Sequence, residues 1–163
     1  MLIYMIIRKA KIKDIPKLVL LAINLLKYHE NFDSYFTPAK DAKDVYAKFF
    51  KGCIFSATKQ LLVAEHNKDI IAYILGEISS RPSVFKIRNI GTVNDMFVVK
   101  KFRKTGIAKK LLAELLCWFK DKGLKYPRLN YVELSVHTKN EIGQKAWAKY
   151  GFKEFMSKQR IKI

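Results

Sequence analysis

Between Val93 and Lys110 the chain reads VNDMFVVKKFRKTGIAKK, and the part of it best suited to chemistry is the hexapeptide RKTGIA, Arg103 to Ala108. An alternating apolar strand runs into a basic, glycine-containing turn and then into a helix. At such a junction the free backbone N–H groups and the helix dipole both favour an anion, phosphate above all. Gly106 lets the backbone approach that anion, and Ala108 keeps the first helical turn free of bulk. Lys100, Lys101, Arg103, Lys104, Lys109 and Lys110 surround the turn with positive charge, which suits a ligand bearing more than one phosphate. No Gly-Lys-Ser/Thr follows, so this is not a P-loop, and it is not a Rossmann fingerprint either. Taken alone the hexapeptide is short, and a plain basic loop would read the same way.

Other chemistries find little support. The three histidines, His29, His66 and His137, lack the paired spacing of a metal motif, and no metal is predicted. The two cysteines, Cys53 and Cys117, indicate neither a disulfide framework nor a zinc site. A reducing cytoplasm is the expected location.

The elements that must position the turn follow from hydrophobic periodicity. With 163 residues, half of them hydrophobic, the chain is expected to form one domain, 1–163, that buries a core without staples. No apolar run approaches the roughly 20 residues of a membrane span, and the apolar start MLIYMII reads as a first strand, not a signal peptide. Ile3 to Lys9 is that strand. Asp14 reads as an N-cap, with Pro16 in the first turn of a helix whose apolar face is Leu18, Leu21, Ala22, Leu25 and Leu26. A loop over Glu30 to Asp41 precedes a second helix, about Ala42 to Phe50, closed at Gly52. Leu61 to Glu65 and Ile70 to Glu77 read as a hairpin turned at His66 to Asp69. After a loop over Arg81 to Lys86, Ile90 to Val99 is the strand that feeds the turn. Ile107, Leu111, Leu115 and Phe119 stripe the following helix, which stops near Gly123. Lys125 to Leu129 connects to a strand over Tyr131 to Val136, and a last helix spans about Asn140 to Tyr150. Phe152 to Phe155 and Arg160 to Ile163 are read as closing strands. The strand, helix, strand unit from Ile90 to Val136 requires a crossover, so its two strands are expected to be parallel. The fold class is α/β (α+β) with a mixed, mostly antiparallel sheet.

The strand NDMFVV, the turn RKTGIA, a helix, the strand VELSV and then Asn140, Trp147 and Gly151-Phe152 in the pattern N-x6-W-x3-GF together resemble the GNAT superfamily of acyl-CoA-dependent N-acetyltransferases. The motifs cover Val93 to Phe155; the first ninety residues add only the expected element order. The resemblance implies a splayed parallel central pair of strands, with acetyl-CoA as cofactor. In these terms main-chain N–H groups of Arg103, Lys104, Thr105, Gly106, Ile107, Ala108 and Lys109 hold the pyrophosphate. Met96, Phe97 and Val98, on a bulged strand, offer backbone groups to the pantetheine arm. Asn140 contacts that arm, and it equally suits the cap of the last helix. Trp147 stands where the family commonly has a tyrosine that protonates the departing thiolate, and indole cannot serve as that acid. Tyr150 lies nearby as a candidate, although its position usually packs inward.

The reaction implied is direct acetyl transfer to a primary amine: a small amine, a peptide N-terminus or a protein lysine. An amine near pKa ~10.4 attacks only when neutral, so a base is required. Ser135 stands where some members carry a glutamate. Asp95 is therefore the leading base candidate, with Glu133 second, and a strand carboxylate among so many lysines also suits an ion pair. The backbone N–H of Val98 is a candidate oxyanion donor. Substrate recognition is expected from Tyr28 to Phe36, including His29, Glu30, Asp33 and Tyr35, and from the Arg81 to Lys86 loop.

The net charge of +18 favours anionic partners without choosing among them, and a thermophilic source could give the same composition. It weighs against a free polyamine as acceptor and leaves a homodimer open. Two alternatives compete with the enzyme reading. One is a basic nucleic-acid or ribosome-binding module, disfavoured because no exposed aromatic stacking stripe is evident. The other is a non-catalytic acyl-CoA sensor, for which Trp147 is the best support.

Overall fold

The computed structural model describes residues 5–123, 125 and 129–163, so most of the expected Lys125 to Leu129 connection and the start of the first strand lie outside the described residues. The elements are β1 (Ile6–Lys9), α1 (Ile15–Glu30), α2 (Ala42–Phe55), β2 (Lys59–His66), β3 (Asp69–Ser80), β4 (Asn89–Val98), α3 (Ile107–Gly123), β5 (Val132–Leu134) and α4 (Glu141–Lys149). The strands lie in the order β1-β2-β3-β4-β5. All neighbours are antiparallel except β4 and β5, which are parallel as the α3 crossover requires. The mixed, mostly antiparallel sheet is as the sequence implies.

Alternation along the strands splits the core into two layers. On one face Leu61, Val63, Ile70, Tyr73 and Leu75 pack against α1 and α2 through Leu18, Leu21, Ala22 and Phe50. On the other, Leu62, Ile71, Ile74, Ile78 and Val93 pack against the Ile107, Leu111, Leu115 and Phe119 stripe of α3. Ile107, Leu111 and Leu115 are at most 1% exposed, and each such burial stabilises by roughly 1.5–3 kcal/mol.

The layer over α3 is tight. A Cβ built on Gly76 would lie 2.6 Å from Leu115 Cδ1, and one on Gly91 would lie 2.8 Å from the Phe119 ring. Gly91→Val is therefore expected to overpack this contact by about 1–3 kcal/mol, lowering Tm by about 2–4 °C per kcal/mol at this chain length. An unchanged Tm in a thermal melt would contradict the close approach.

Several local expectations are corrected. Helix α2 runs through Gly52 to Phe55 because the following turn buries Cys53 against the α1 layer. Asp14 does not cap α1 with its side chain. Its carboxylate instead takes Arg8 at 2.6 and 2.9 Å and the Lys11 N–H at 2.8 Å, since the half-buried Arg8 guanidinium, also bound by Glu65, needs partners. Burial raises the Asp14 carboxyl, but those hydrogen bonds outweigh it and hold the group below the usual range. No closing strands form after Gly151. Three-residue β5 offers a short template, and Phe155, Met156, Ile161 and Ile163 stay exposed, so too little apolar area is buried to hold them as strands. The parallel pair thus closes one end of the sheet. The β2–β3 hairpin is as expected, with Asn67 and Lys68 both left-handed, φ +50° and +64°, as a two-residue turn of this twist requires.

Candidate active site

A single extra residue in β4 sets up the site. Pairing between β4 and β5 covers only Gly91 to Val93 against Val132 to Leu134, with the Gly91 N–H donating to the Tyr131 carbonyl at 3.0 Å. On the other side, Val93 faces Gly76 while Asp95 faces Leu75, so Asn94 is inserted as a bulge. One inserted residue exchanges the two sets of backbone groups. The Val99 N–H donates to Ile71 at 2.9 Å. By the alternation of an antiparallel ladder, Asp95 and Phe97 therefore direct their N–H and C=O groups at β3. Met96 and Val98 direct theirs into the gap that opens where β5 pairing stops.

Of the three backbone positions expected to serve the pantetheine arm, then, Met96 and Val98 face the gap and Phe97 is committed to the sheet. Arg103 Nε donates to the Val98 carbonyl at 3.0 Å, which shows that this oxygen is open to that side. The Arg103 guanidinium lies 5.6 Å from the Phe97 ring and 5.9 Å from the Tyr28 ring.

Below the gap, the turn is built by two left-handed residues, Lys104 at φ +64° and Gly106 at φ +86°. The Thr105 hydroxyl turns inward to the Phe102 carbonyl at 2.6 Å, which fixes the curl and leaves Thr105 only its main chain for a ligand. The first intrahelical bond of α3 is Lys110 N–H to Gly106 C=O, so the N–H groups of Ile107, Ala108 and Lys109 have no partner within the helix. A Cβ on Gly106 would meet nothing within 4 Å, so the space before the turn is open. The side chains of Arg103, Lys104 and Lys109 are exposed around it. A left-handed glycine, free first-turn N–H groups and a ring of cations fit a pyrophosphate, and the open backbone of Met96 and Val98 fits an amide-bearing arm.

Asn140 is buried and caps α4, its Oδ1 accepting the Gly143 N–H at 2.9 Å. The same oxygen accepts the Tyr28 hydroxyl at 3.2 Å, so Tyr28 of α1 reaches the gap from the opposite layer. This partner of Asn140 is not visible in the sequence. Trp147 packs against Phe152 at 5.4 Å and Tyr150 at 6.0 Å within the cluster on the α3 face. Tyr150 belongs to that cluster too, in keeping with an inward-packed residue.

On the α1/α2 face, the bulge opens a cavity of about 690 Å³ whose wall includes Asn94, Asp95, Ser135 and, from α2 and the loop before it, Tyr35, Asp41 and Tyr46. Burial pushes the Asp95 carboxyl above the usual carboxylate range, partly offset by the Tyr73 hydroxyl. That buried hydroxyl makes no hydrogen bond of good geometry, though it lies close enough to act on the carboxyl. Burial and the charge of Asp95 push Tyr46 up to about 12. Among the described residues no lysine or arginine forms an ion pair with Asp95, which removes the main structural alternative for it. Glu133, half-buried beside Thr92, does not line the cavity.

The expected recognition loops divide. Tyr35 and Phe36 line the cavity. Asp33 is spent on Arg160 and on the Tyr35 N–H, and His29 packs in an aromatic cluster with Phe32 and Phe36. Burial, then the neighbouring His137, hold His29 below its usual range. Glu30 and the Arg81 to Lys86 loop do not line the cavity; Arg81 stacks on Phe85 at 3.9 Å instead. The α2 residues Val45, Tyr46 and Phe49, which do line it, carry no motif. Their only signal is an apolar surplus beside the Phe50 and Cys53 face.

The family model of the acetyltransferase (GNAT) domain matches residues 57–154. The chain belongs to the GNAT acetyltransferase family. Solved structures share the fold. A mutant form of the BH1408 protein from Bacillus halodurans superposes with TM-score 0.85 at 16% identity, covering 97% of this chain and 99% of that one. The aminoglycoside N-acetyltransferase AAC(6')-Iy in complex with CoA gives 0.78 at 19%, covering 98% and 95%. An acetyltransferase with acetyl-CoA from Clostridium acetobutylicum gives 0.74 at 22%, covering 98% and 96%. No curated protein matches the chain in sequence. No helix among the described residues is long and apolar enough to cross a membrane.

Proposed function

We propose that the protein transfers the acetyl group of acetyl-CoA directly to a primary amine, with Asp95 as the general base. The observation that carries this reading is the position of Asp95: one residue past the bulge, on the wall of the cavity, beside the gap that Met96 and Val98 face. In this reading the main chain from Arg103 to Lys109 holds the pyrophosphate, Met96, Val98 and Asn140 hold the arm, and Tyr28 positions Asn140.

Asp95 takes a proton from the bound ammonium, directly or through water. The freed nitrogen attacks the thioester carbonyl; a C–N bond forms, the C–S bond breaks, and the second proton, lost from the attacking nitrogen, passes through water to the departing thiolate. Each unit by which burial raises the carboxyl, or lowers the ammonium beside it, removes about 1.36 kcal/mol from the cost of that first transfer. The Val98 N–H, aimed into the gap, suits the negative charge that develops on the carbonyl oxygen. The names of structural neighbours that acetylate aminoglycosides agree with an amine acceptor.

The test is calorimetric titration with acetyl-CoA followed by thiol release against a panel of amines. Saturable binding with amine-dependent release is expected. Binding without turnover on any amine would favour an acyl-CoA sensor, and salt-dependent RNA binding without acetyl-CoA binding would favour a nucleic-acid module.

A further inference from the structure

The cavity beside Asp95 has a composition that the rest of the molecule does not. The chain carries 32 lysines and arginines against 14 acidic residues, yet among the described residues no lysine or arginine lines the cavity, and two carboxylates, Asp41 and Asp95, do. Between them the wall is largely apolar. Tyr35, Val45 and Phe49 are 73%, 55% and 38% exposed, and all three face this one space. Large apolar side chains left in water around a concave surface mark a place that a ligand covers. The ring of Tyr46 is stacked on Phe50 at 5.5 Å, which ties that part of the α2 wall to the core.

From this wall we infer that the acceptor is a primary monoamine with an apolar aromatic or alkyl body, its ammonium at Asp95 and its body against Tyr35, Val45 and Phe49. This inference rests on the acetyl-transfer reading and narrows its substrate. A polyhydroxylated or polycationic amine fits worse for two reasons. Those of its hydroxyls that meet Leu26, Val45 and Phe49 would be buried against side chains that offer no hydrogen bond. Its further ammonium groups would find only exposed Asp41, since Asp33 on the same loop is already paired with Arg160. A cavity of about 690 Å³ has room for a ring-sized body.

The experiment has two readouts. Thiol release is compared for 2-phenylethylamine, hexylamine, spermidine and a poly-aminosugar, and binding of 2-phenylethylamine to the CoA-saturated protein is measured by calorimetry. The two apolar monoamines are expected to show kcat/KM at least 10-fold above the polar amines. Val45→Asp, an exposed substitution on the cavity wall, is expected to lower kcat/KM for 2-phenylethylamine 10–100-fold and to leave the KM for acetyl-CoA unchanged. Spermidine or the aminosugar as the better substrate would overturn the inference while leaving acetyl transfer standing. Binding of 2-phenylethylamine that Val45→Asp weakens, without turnover of any amine, would support the ligand class and overturn the transfer reading. Absence of 2-phenylethylamine binding would overturn the inference outright.

Discussion

Asp95→Asn is expected to lower kcat by about 10²–10⁴-fold, the range for loss of a general base, and at the same time to raise the melting temperature at neutral pH. The two effects have one cause. Burial holds the Asp95 carboxyl above its ordinary range, so the folded protein binds this proton more tightly than the unfolded chain does. For such a group the contribution to stability is complete below the unfolded value, about 3.9, and is lost as pH rises through the raised folded value. At neutral pH the charged carboxylate therefore burdens the fold, and an isosteric amide relieves it. The gain in Tm should vanish in acid, where both proteins are neutral at this position. Melts of both proteins across pH, beside kcat for a fixed amine, check the pair of effects. A fall in Tm at pH 7 would mean that the carboxylate is held by favourable partners and serves structure.

How much of this site was legible beforehand depended on the range of the interactions involved. The RKTGIA turn could be read because its left-handed glycine, its cations and its helix start lie within a few residues of one another. The hairpin at Asn67-Lys68 was legible for the same reason. The bulge at Asn94 was not, since it exists only as a mismatch of register against Leu75 and Gly76. Without it, Phe97 could not be told from Met96 and Val98 as a donor to the gap. The Tyr28–Asn140 hydrogen bond joins residues 112 apart and has no local signature at all. Gly52 misled because a glycine in mid-helix looks like a stop, although burial of Cys53 outweighs the roughly 1 kcal/mol propensity loss. The apolar residues after Gly151 misled in the opposite direction: β propensity without a long partner edge or a buried face does not make a strand. Family membership rested on the motif half of the chain, whereas the apolar part of the cavity wall, Val45 and Phe49, comes from α2, in the half without motifs.

Gly106→Asp should weaken acetyl-CoA binding by about 10²-fold or more, and the reasons can be separated by a control. At φ +86° any side chain is strained, by roughly 1–2 kcal/mol. A Cβ meets no atom within 4 Å, so the substitution does not disturb the folded protein sterically. Gly106→Ala should therefore show the strain alone, as a Tm lower by about 2–4 °C per kcal/mol, and the loss of affinity that follows from bulk at the turn. The aspartate adds a negative charge where the proposed site would hold the pyrophosphate. At about 5 Å and an effective dielectric near 20, that repulsion is about 3 kcal/mol per unit charge before salt screening. Affinity should consequently fall from glycine to alanine to aspartate, with the last step shrinking as ionic strength rises. Calorimetric titration of the three proteins at low and high salt measures both trends. Equal affinity of all three would place the pyrophosphate elsewhere and sever the turn from the site.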